Sequence, residues 1–130
     1  MFAKKKEAGS LAKIESLIGA GTCIEGKVRF SGGLRIDGEV KGAVEAVPGS
    51  DAVLVLSDQA RIEGGVEVTH LVMNGVIVGP VFVAESLEMQ PKSRILGDVT
   101  YAAIEIHQGA VIEGRLVHQS AKEPNLPSGD

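Results

Sequence analysis

Apolar and polar positions alternate along this chain in pieces of three to five residues, and the pieces recur at a near-constant interval. The clearest is apolar-x-Gly-x-apolar. It occurs as Ile24-Glu25-Gly26-Lys27-Val28, Val40-Lys41-Gly42-Ala43-Val44, Ile62-Glu63-Gly64-Gly65-Val66, Ile77-Val78-Gly79-Pro80-Val81, Ile95-Leu96-Gly97-Asp98-Val99 and Ile112-Glu113-Gly114-Arg115-Leu116. Its glycines are separated by 16, 22, 15, 18 and 17 residues, a mean of 17.6. Ahead of each of the last five copies stands an apolar-x-apolar pair: Leu34/Ile36, Leu54/Leu56, Leu71/Met73, Leu87/Met89 and Ile104/Ile106.

A period of two puts alternate side chains on one face of a strand, and pieces this short do not hold together as hairpins. A unit repeating every 17 or 18 residues therefore reads as one coil of a solenoid, made of about three short strands and three corners. Coils stacked in parallel at ~4.8 Å make a six-coil rod roughly 29 Å long. Its interior is a set of ladders: Ile24, Val40, Ile62, Ile77, Ile95 and Ile112 form one, and Val28, Val44, Val66, Val81, Val99 and Leu116 another. The glycine between the two ladders marks a corner, where the chain turns sharply or takes φ > 0. The fold class is thus all-β, a single-domain parallel β-helix of about six coils spanning residues 20–118. The one long interval contains Ala46-Val47-Pro48-Gly49-Ser50-Asp51, whose Pro-Gly reads as a surface turn bulging from one corner.

Two tails flank this body. Residues 1–19 are basic at first, after which Leu11, Ile14, Leu17 and Ile18 recur at the spacing of one or two helical turns. Residues 119–130 hold Pro124 and Pro127 with little that is apolar, and disorder is expected there.

Composition agrees with a narrow β core. Of 130 residues 44% are apolar, yet only Phe2, Phe30, Phe82 and Tyr101 are aromatic, while sixteen Val and ten Ile accompany seventeen Gly. Branched aliphatics suit strands, and a slender three-sided interior has little room for rings. The longest apolar run, Val76 to Ala84, is nine residues interrupted by Gly79 and Pro80, far short of the ~20 that a membrane-spanning helix needs. The start lacks the apolar stretch of a secretory signal. The single cysteine, Cys23, excludes an internal disulfide and suits a reducing compartment. Charge is uneven: four lysines against Glu7 leave residues 1–13 at +3, so the remainder carries −7 of the total of −4. Such a body repels nucleic acid, and no nucleic-acid partner is expected.

Candidate chemistry is sparse. His70, His107 and His118 lie 37 and 11 residues apart, neither a short ligand spacing nor one coil, so they read as surface histidines and no metal site is expected. Nucleophile elbows, phosphate loops and zinc-protease motifs are absent, so no catalytic residue, nucleotide or cofactor is assigned. Glu25, Glu63 and Glu113 share one phase of the motif and read as a solvated acidic stripe. An enzymatic alternative is a left-handed hexapeptide β-helix, either an acyltransferase or a metal-dependent trimer. Ile18, Ile24, Phe30 and Ile36 do fall six apart, but the same register continues into Gly42, Pro48, Leu54 and Ala60, and further on Gln90 and Gln108. The hexad is therefore a local coincidence on this reading.

A stacked rod leaves unpaired backbone groups and open apolar cross-sections at both ends. No cap is evident after Ile104, Ile106, Ile112 and Leu116, and before Ile24, Val28 and Phe30 only the weak stretch Leu11 to Ile18 could serve as one. These seven residues are the expected polymerisation interface, through which the chain is its own partner. The alternative is a monomeric rod whose tails fold over its ends. The start Met1-Phe2-Ala3-Lys4-Lys5-Lys6 sets one of the rare rings beside three lysines. Phe2, Lys4, Lys5 and Lys6 therefore read as a membrane-targeting peptide for anionic lipid, with ~1 kcal/mol for each cation near the surface. Display along a polymer multiplies that weak anchor by avidity.

The glycine-motif coils, the stretch Leu34-Arg35-Ile36-Asp37-Gly38-Glu39-Val40-Lys41-Gly42 and the start Met-Phe-x-Lys-Lys-Lys together resemble a bactofilin. The resemblance implies a right-handed parallel β-helix and a bacterial cytoskeletal scaffold. It further implies assembly without nucleotide, through contacts between like ends, into filaments without polarity. These would lie on the cytoplasmic face of the inner membrane and localise cell-wall enzymes or polarity proteins. Carried over by position, targeting falls on Phe2 with Lys4, Lys5 and Lys6, and the end contact on the last coil around Ile112. Many members carry phenylalanine where Ile112 stands, and the insertion at Val47 to Asp51 also departs from the common pattern.

Overall fold

The computed structural model describes residues 14–119, which form sixteen strands and no helix. Six coils account for all of them. The first coil is β1 (Ser16–Ile18), β2 (Cys23–Glu25) and β3 (Val28–Phe30), and the second is β4 (Gly33–Ile36), β5 (Glu39–Lys41) and β6 (Val44–Ala46). The third is β7 (Val53–Leu56), β8 (Arg61–Glu63) and the start of β9 (Val66–Met73). The fourth takes the rest of β9, β10 (Val76–Val78) and the start of β11 (Val81–Met89). The fifth takes the rest of β11, β12 (Arg94–Leu96) and β13 (Val99–Tyr101), and the sixth is β14 (Ala103–Ile106), β15 (Val111–Glu113) and β16 (Leu116–His118).

Every strand pairs in parallel with its counterpart one coil away, and the register is the one predicted from the sequence. Ile24 stands on Val40, Val40 on Ile62, Ile62 on Ile77, Ile77 on Ile95 and Ile95 on Ile112. The second ladder runs from Val28 through Val44, Val66, Val81 and Val99 to Leu116. The apolar pairs stack on the third wall in the same way, Leu34 on Leu54, then Leu71, Leu87 and Ile104. Each fully buried Ile, Leu or Val withdraws enough apolar surface to contribute roughly 1.5–3 kcal/mol. The fold is therefore held by columns of like residues that together make one continuous core along the rod.

Side chains form the columns and glycine permits their spacing. Gly42, Gly64, Gly79 and Gly97 take φ between +143° and +155°, and a Cβ on any of them would run into the carbonyl of the equivalent glycine one coil earlier. A different corner imposes the same demand on Gly38 and Gly75. A Cβ on Gly75 would meet the Ser57 carbonyl oxygen at 2.6 Å, and one on Gly38 would crowd the carbonyls of Gly19 and Thr22. In these two coils a short corner tucks beneath the longer corner of the coil before it.

Three details differ from the sequence reading. The body begins at Ser16, not at residue 20, because β1 pairs with β4 through Ser16–Leu34, Leu17–Arg35 and Ile18–Ile36. Ser16–Ile18 is thus a strand where a helical turn was expected, and Leu11 lies outside the described residues. Second, β9 and β11 are eight and nine residues long, longer than the expected pieces, because each runs unbroken round a corner. A bulge between Val83 and Ser86 supplies the bend in their pairing. Third, the six-residue spacing of Ile18, Ile24, Phe30 and Ile36 has a structural cause. One residue falls on each wall in turn, on β1, β2, β3 and then β4, and Leu56, Ile62 and Val68 repeat the step on β7, β8 and β9. Among the described residues no helix is long and apolar enough to cross a membrane.

Candidate functional site

Burial along the columns falls off at the two ends of the rod. Val40, Ile62, Ile77 and Ile95 are fully buried, whereas Ile24 and Ile112, which terminate the same column, are only partly covered. At the first coil Ser16 replaces the Leu or Ile of the coils below, and Val28 and Phe30 are half-buried. At the last coil Ile104 is half-buried, Ile106 is 46% exposed and Leu116 is 48% exposed. Seven large apolar residues are exposed among those described. Ile14, Leu17, Ile106, Val111, Leu116 and Val117 lie at the terminal coils, and only Val47 lies elsewhere, in the insertion. All seven residues expected at the polymerisation interface thus sit in the first or last coil. The expected targeting residues Phe2, Lys4, Lys5 and Lys6 lie outside the described residues, as does nearly all of 119–130.

Charged side chains occupy the outer faces and mostly neutralise one another. On the wall of β2, β5, β8, β10, β12 and β15 the outward column reads Glu25, Lys41, Glu63, Val78, Leu96, Glu113. The expected acidic stripe is therefore broken: Lys41 separates Glu25 from Glu63, and two apolar residues separate Glu63 from Glu113. Arg61 Nε lies 2.7 Å from Glu63 Oε2 and holds that exposed carboxyl below its ordinary range. Arg35 Nε pairs with Asp37 Oδ1 at 2.9 Å, and Arg29 and Lys27 both approach Glu45. Tyr101 closes the last inner column edge to face with His118, ring centroids 5.6 Å apart.

Two of the three histidines are not simple surface residues. His70 has a side chain only 15% exposed, held by Ser86 Oγ at 2.8 Å from Nδ1 and by Asp51 Oδ1 at 3.2 Å from Nε2. It pins the insertion to the rod together with Thr69, whose hydroxyl donates to the Ser50 carbonyl at 2.9 Å. His107 stands at the corner after β14, its backbone N–H donating to the Met89 carbonyl at 2.9 Å. Its Nε2 is 3.2 Å from Glu88 Oε2 and 3.1 Å from Glu105 Oε2. Sequence reasoning weighed the histidines only against one another and missed this group. The signal was the interval between Glu88 and Glu105, 17 residues or one coil, followed by Glu-x-His.

A shallow groove of about 510 Å³ runs along the outer face of β7, β9, β11 and β14, lined by Val55, His70, Val72, Ser86, Glu88 and Glu105 among others. Asp51, His70 and Ser86 line up beside it as an acid, an imidazole and a hydroxyl. These contacts run from coil to coil and tie the insertion to the rod.

Comparison with known proteins bears on the whole rod. The chain is similar to Bactofilin BacP of Myxococcus xanthus (strain DK1622), 24% identical over 128 residues that cover 98% of this chain and 52% of the relative. It thus spans about half the length of that curated relative. No solved structure matches it. The family model described as "Bactofilin: Polymer-forming cytoskeletal" matches residues 16–117, from the first residue of β1 into β16. The matched segment is the six-coil rod itself, and the chain belongs to the bactofilin family of polymer-forming cytoskeletal proteins.

Proposed function

We propose that this chain is a non-enzymatic filament subunit that joins end to end through its first and last coils, without nucleotide. The observation that carries the reading is that six of the seven exposed apolar residues lie at the terminal coils, where Ile106 and Leu116 continue inward columns into the open. Among the described residues each end offers a row of unpaired backbone groups beside an open apolar cross-section, and stacking a second copy on it satisfies both at once. Contact between like ends gives a filament without polarity. The partner at each end is therefore a second copy, joined through Ile24, Val28 and Phe30 or through Ile104, Ile106, Ile112 and Leu116.

The same reading gives Phe2, Lys4, Lys5 and Lys6 the role of a reversible anchor to anionic lipid on the cytoplasmic face of the inner membrane. The filament there is a platform on which cell-wall enzymes or polarity proteins gather. Ile112→Arg places a charge in the end contact, and negative-stain images of this variant should show short oligomers where the parent forms filaments. Circular dichroism of the variant checks that the coils persist. Long filaments from a folded Ile112→Arg protein would refute the end contact, and a discrete trimer from the parent would favour the hexapeptide-enzyme alternative. Deleting residues 2–6 should abolish co-flotation with anionic vesicles and spare filaments. Flotation that survives the deletion would refute the anchor.

A further inference from the structure

We propose that Glu88, Glu105 and His107 form a site for a divalent transition-metal ion of the zinc class, with water in the remaining coordination positions. The inference stands apart from filament formation and rests on how stacking brings the three together. Glu88 and Glu105 are direct register partners on β11 and β14, both on the outer face. Two carboxylates placed directly opposite in a sheet repel each other. Elsewhere on the rod Lys27, Arg29, Arg35, Arg61, Lys92 or Arg94 attends a carboxylate. Among the described residues Glu88 and Glu105 have no lysine or arginine partner, and His107 alone faces them.

The distances that hold the trio together by hydrogen bonding also suit shared ligation of one ion. All three donor atoms lie within 4.8 Å of one another. An ion held ~2.0–2.2 Å from each nitrogen and oxygen donor sets neighbouring donors roughly 2.9–3.5 Å apart, from octahedral to tetrahedral angles. The two edges from His107 Nε2 measure 3.2 and 3.1 Å. Rotation of Glu105, whose side chain is 68% exposed, closes the third edge. One imidazole and two carboxylates form a borderline donor set that suits zinc, nickel or cobalt over magnesium or calcium. The backbone is already fixed for this role, because the His107 N–H bonds to Met89 and its carbonyl accepts from Ala110, which holds the corner. A bound ion ties the last coil to the one before it, and its open positions face the groove.

The test is calorimetric titration of the full chain with zinc chloride in a non-chelating buffer near neutral pH. One ion per chain is expected, with affinity falling at least about tenfold in Glu88→Gln and in His107→Gln. His118→Gln should leave it unchanged. The melting midpoint of the parent should rise with zinc and return on adding chelator. A second measurement needs no variant: cobalt(II) bound to the parent should give visible bands of nitrogen and oxygen ligation with no thiolate charge-transfer band from Cys23. Absence of saturable zinc binding, binding unaffected by His107→Gln, or a thiolate band would each overturn the proposal. So would variants that shift the melting midpoint equally with and without zinc, since the trio would then be a protonated-histidine clamp.

Discussion

Replacing Gly79 with alanine tests coil stacking at a single atom. The residue sits at φ +143°, and its new Cβ would press on the Gly64 peptide, 2.7 Å from the carbonyl carbon and 3.3 Å from the Gly65 nitrogen. Strained backbone of this kind costs an L-residue about 1–3 kcal/mol. Relief of the clash must part the two coils where Gly64 N–H donates to the Val78 carbonyl and Val66 N–H to the Pro80 carbonyl, both at 2.9 Å. Weakening two such bonds costs about 1–3 kcal/mol more. The control is Gly26→Ala, at φ +133° with nothing within 4 Å among the described residues. It carries the backbone strain without the clash. Urea unfolding of dispersed protein, followed by far-ultraviolet circular dichroism, should find Gly79→Ala destabilised by about 2–6 kcal/mol and Gly26→Ala by about 1–3. Since a domain's whole stability is about 5–15 kcal/mol, the first variant should be conspicuously weakened. Equal losses for the two, at unchanged denaturant slope, would refute the claim that glycine is required by the coil beneath.

Other expectations follow from the same geometry. Ile77, fully buried in mid-column, should cost about 2–5 kcal/mol on truncation to alanine, and Ile112→Ala at the column's end clearly less in dispersed protein; chemical denaturation of both reads the gradient of burial. Arg61→Ala should raise the titration of Glu63 in a carboxyl-detected NMR experiment, because the guanidinium is what lowers it. The folded-state value being depressed, that pair's contribution is present above the unfolded-state pKa and fades as pH falls through the folded one. Excising residues 47–51 removes the ties from Ser50 to Thr69 and from Asp51 to His70, at about 1–2 kcal/mol. Filaments should survive that excision in negative stain, because the insertion lies away from both ends.

The columns were legible in the sequence because each coil repeats its inward apolar positions and one glycine, so aligning Ile24 to Ile112 by glycine alone reproduces the observed register. The insertion was legible for the same reason, as a departure from a fixed interval. The opening strand was not. Ser16 and the exposed Leu17 leave Ile18 as its one buried inward residue, and only pairing with Leu34 to Ile36 defines it. Corner lengths were equally hidden, since Gly38 and Gly75 matter through carbonyls a whole coil away. The Glu88–Glu105–His107 group escaped because its chemistry is vertical: two residues 17 apart are neighbours only once the coil length is applied to polar positions as well as apolar ones. The acidic stripe failed by the same omission, since Lys41 intervenes when the outer column is read coil by coil.

The central claim, that rods of six coils meet end to end, is tested most directly by the axial repeat of the assembled filament. Electron cryomicroscopy of filaments formed without nucleotide should find coils stacked at ~4.8 Å along the filament axis, a rise of roughly 29 Å per subunit, and a repeat of roughly 58 Å when like ends meet. Coils lying across the axis, or subunits rising by only one or two coil spacings, would mean that the flanks rather than the ends hold the polymer, and would contradict the account.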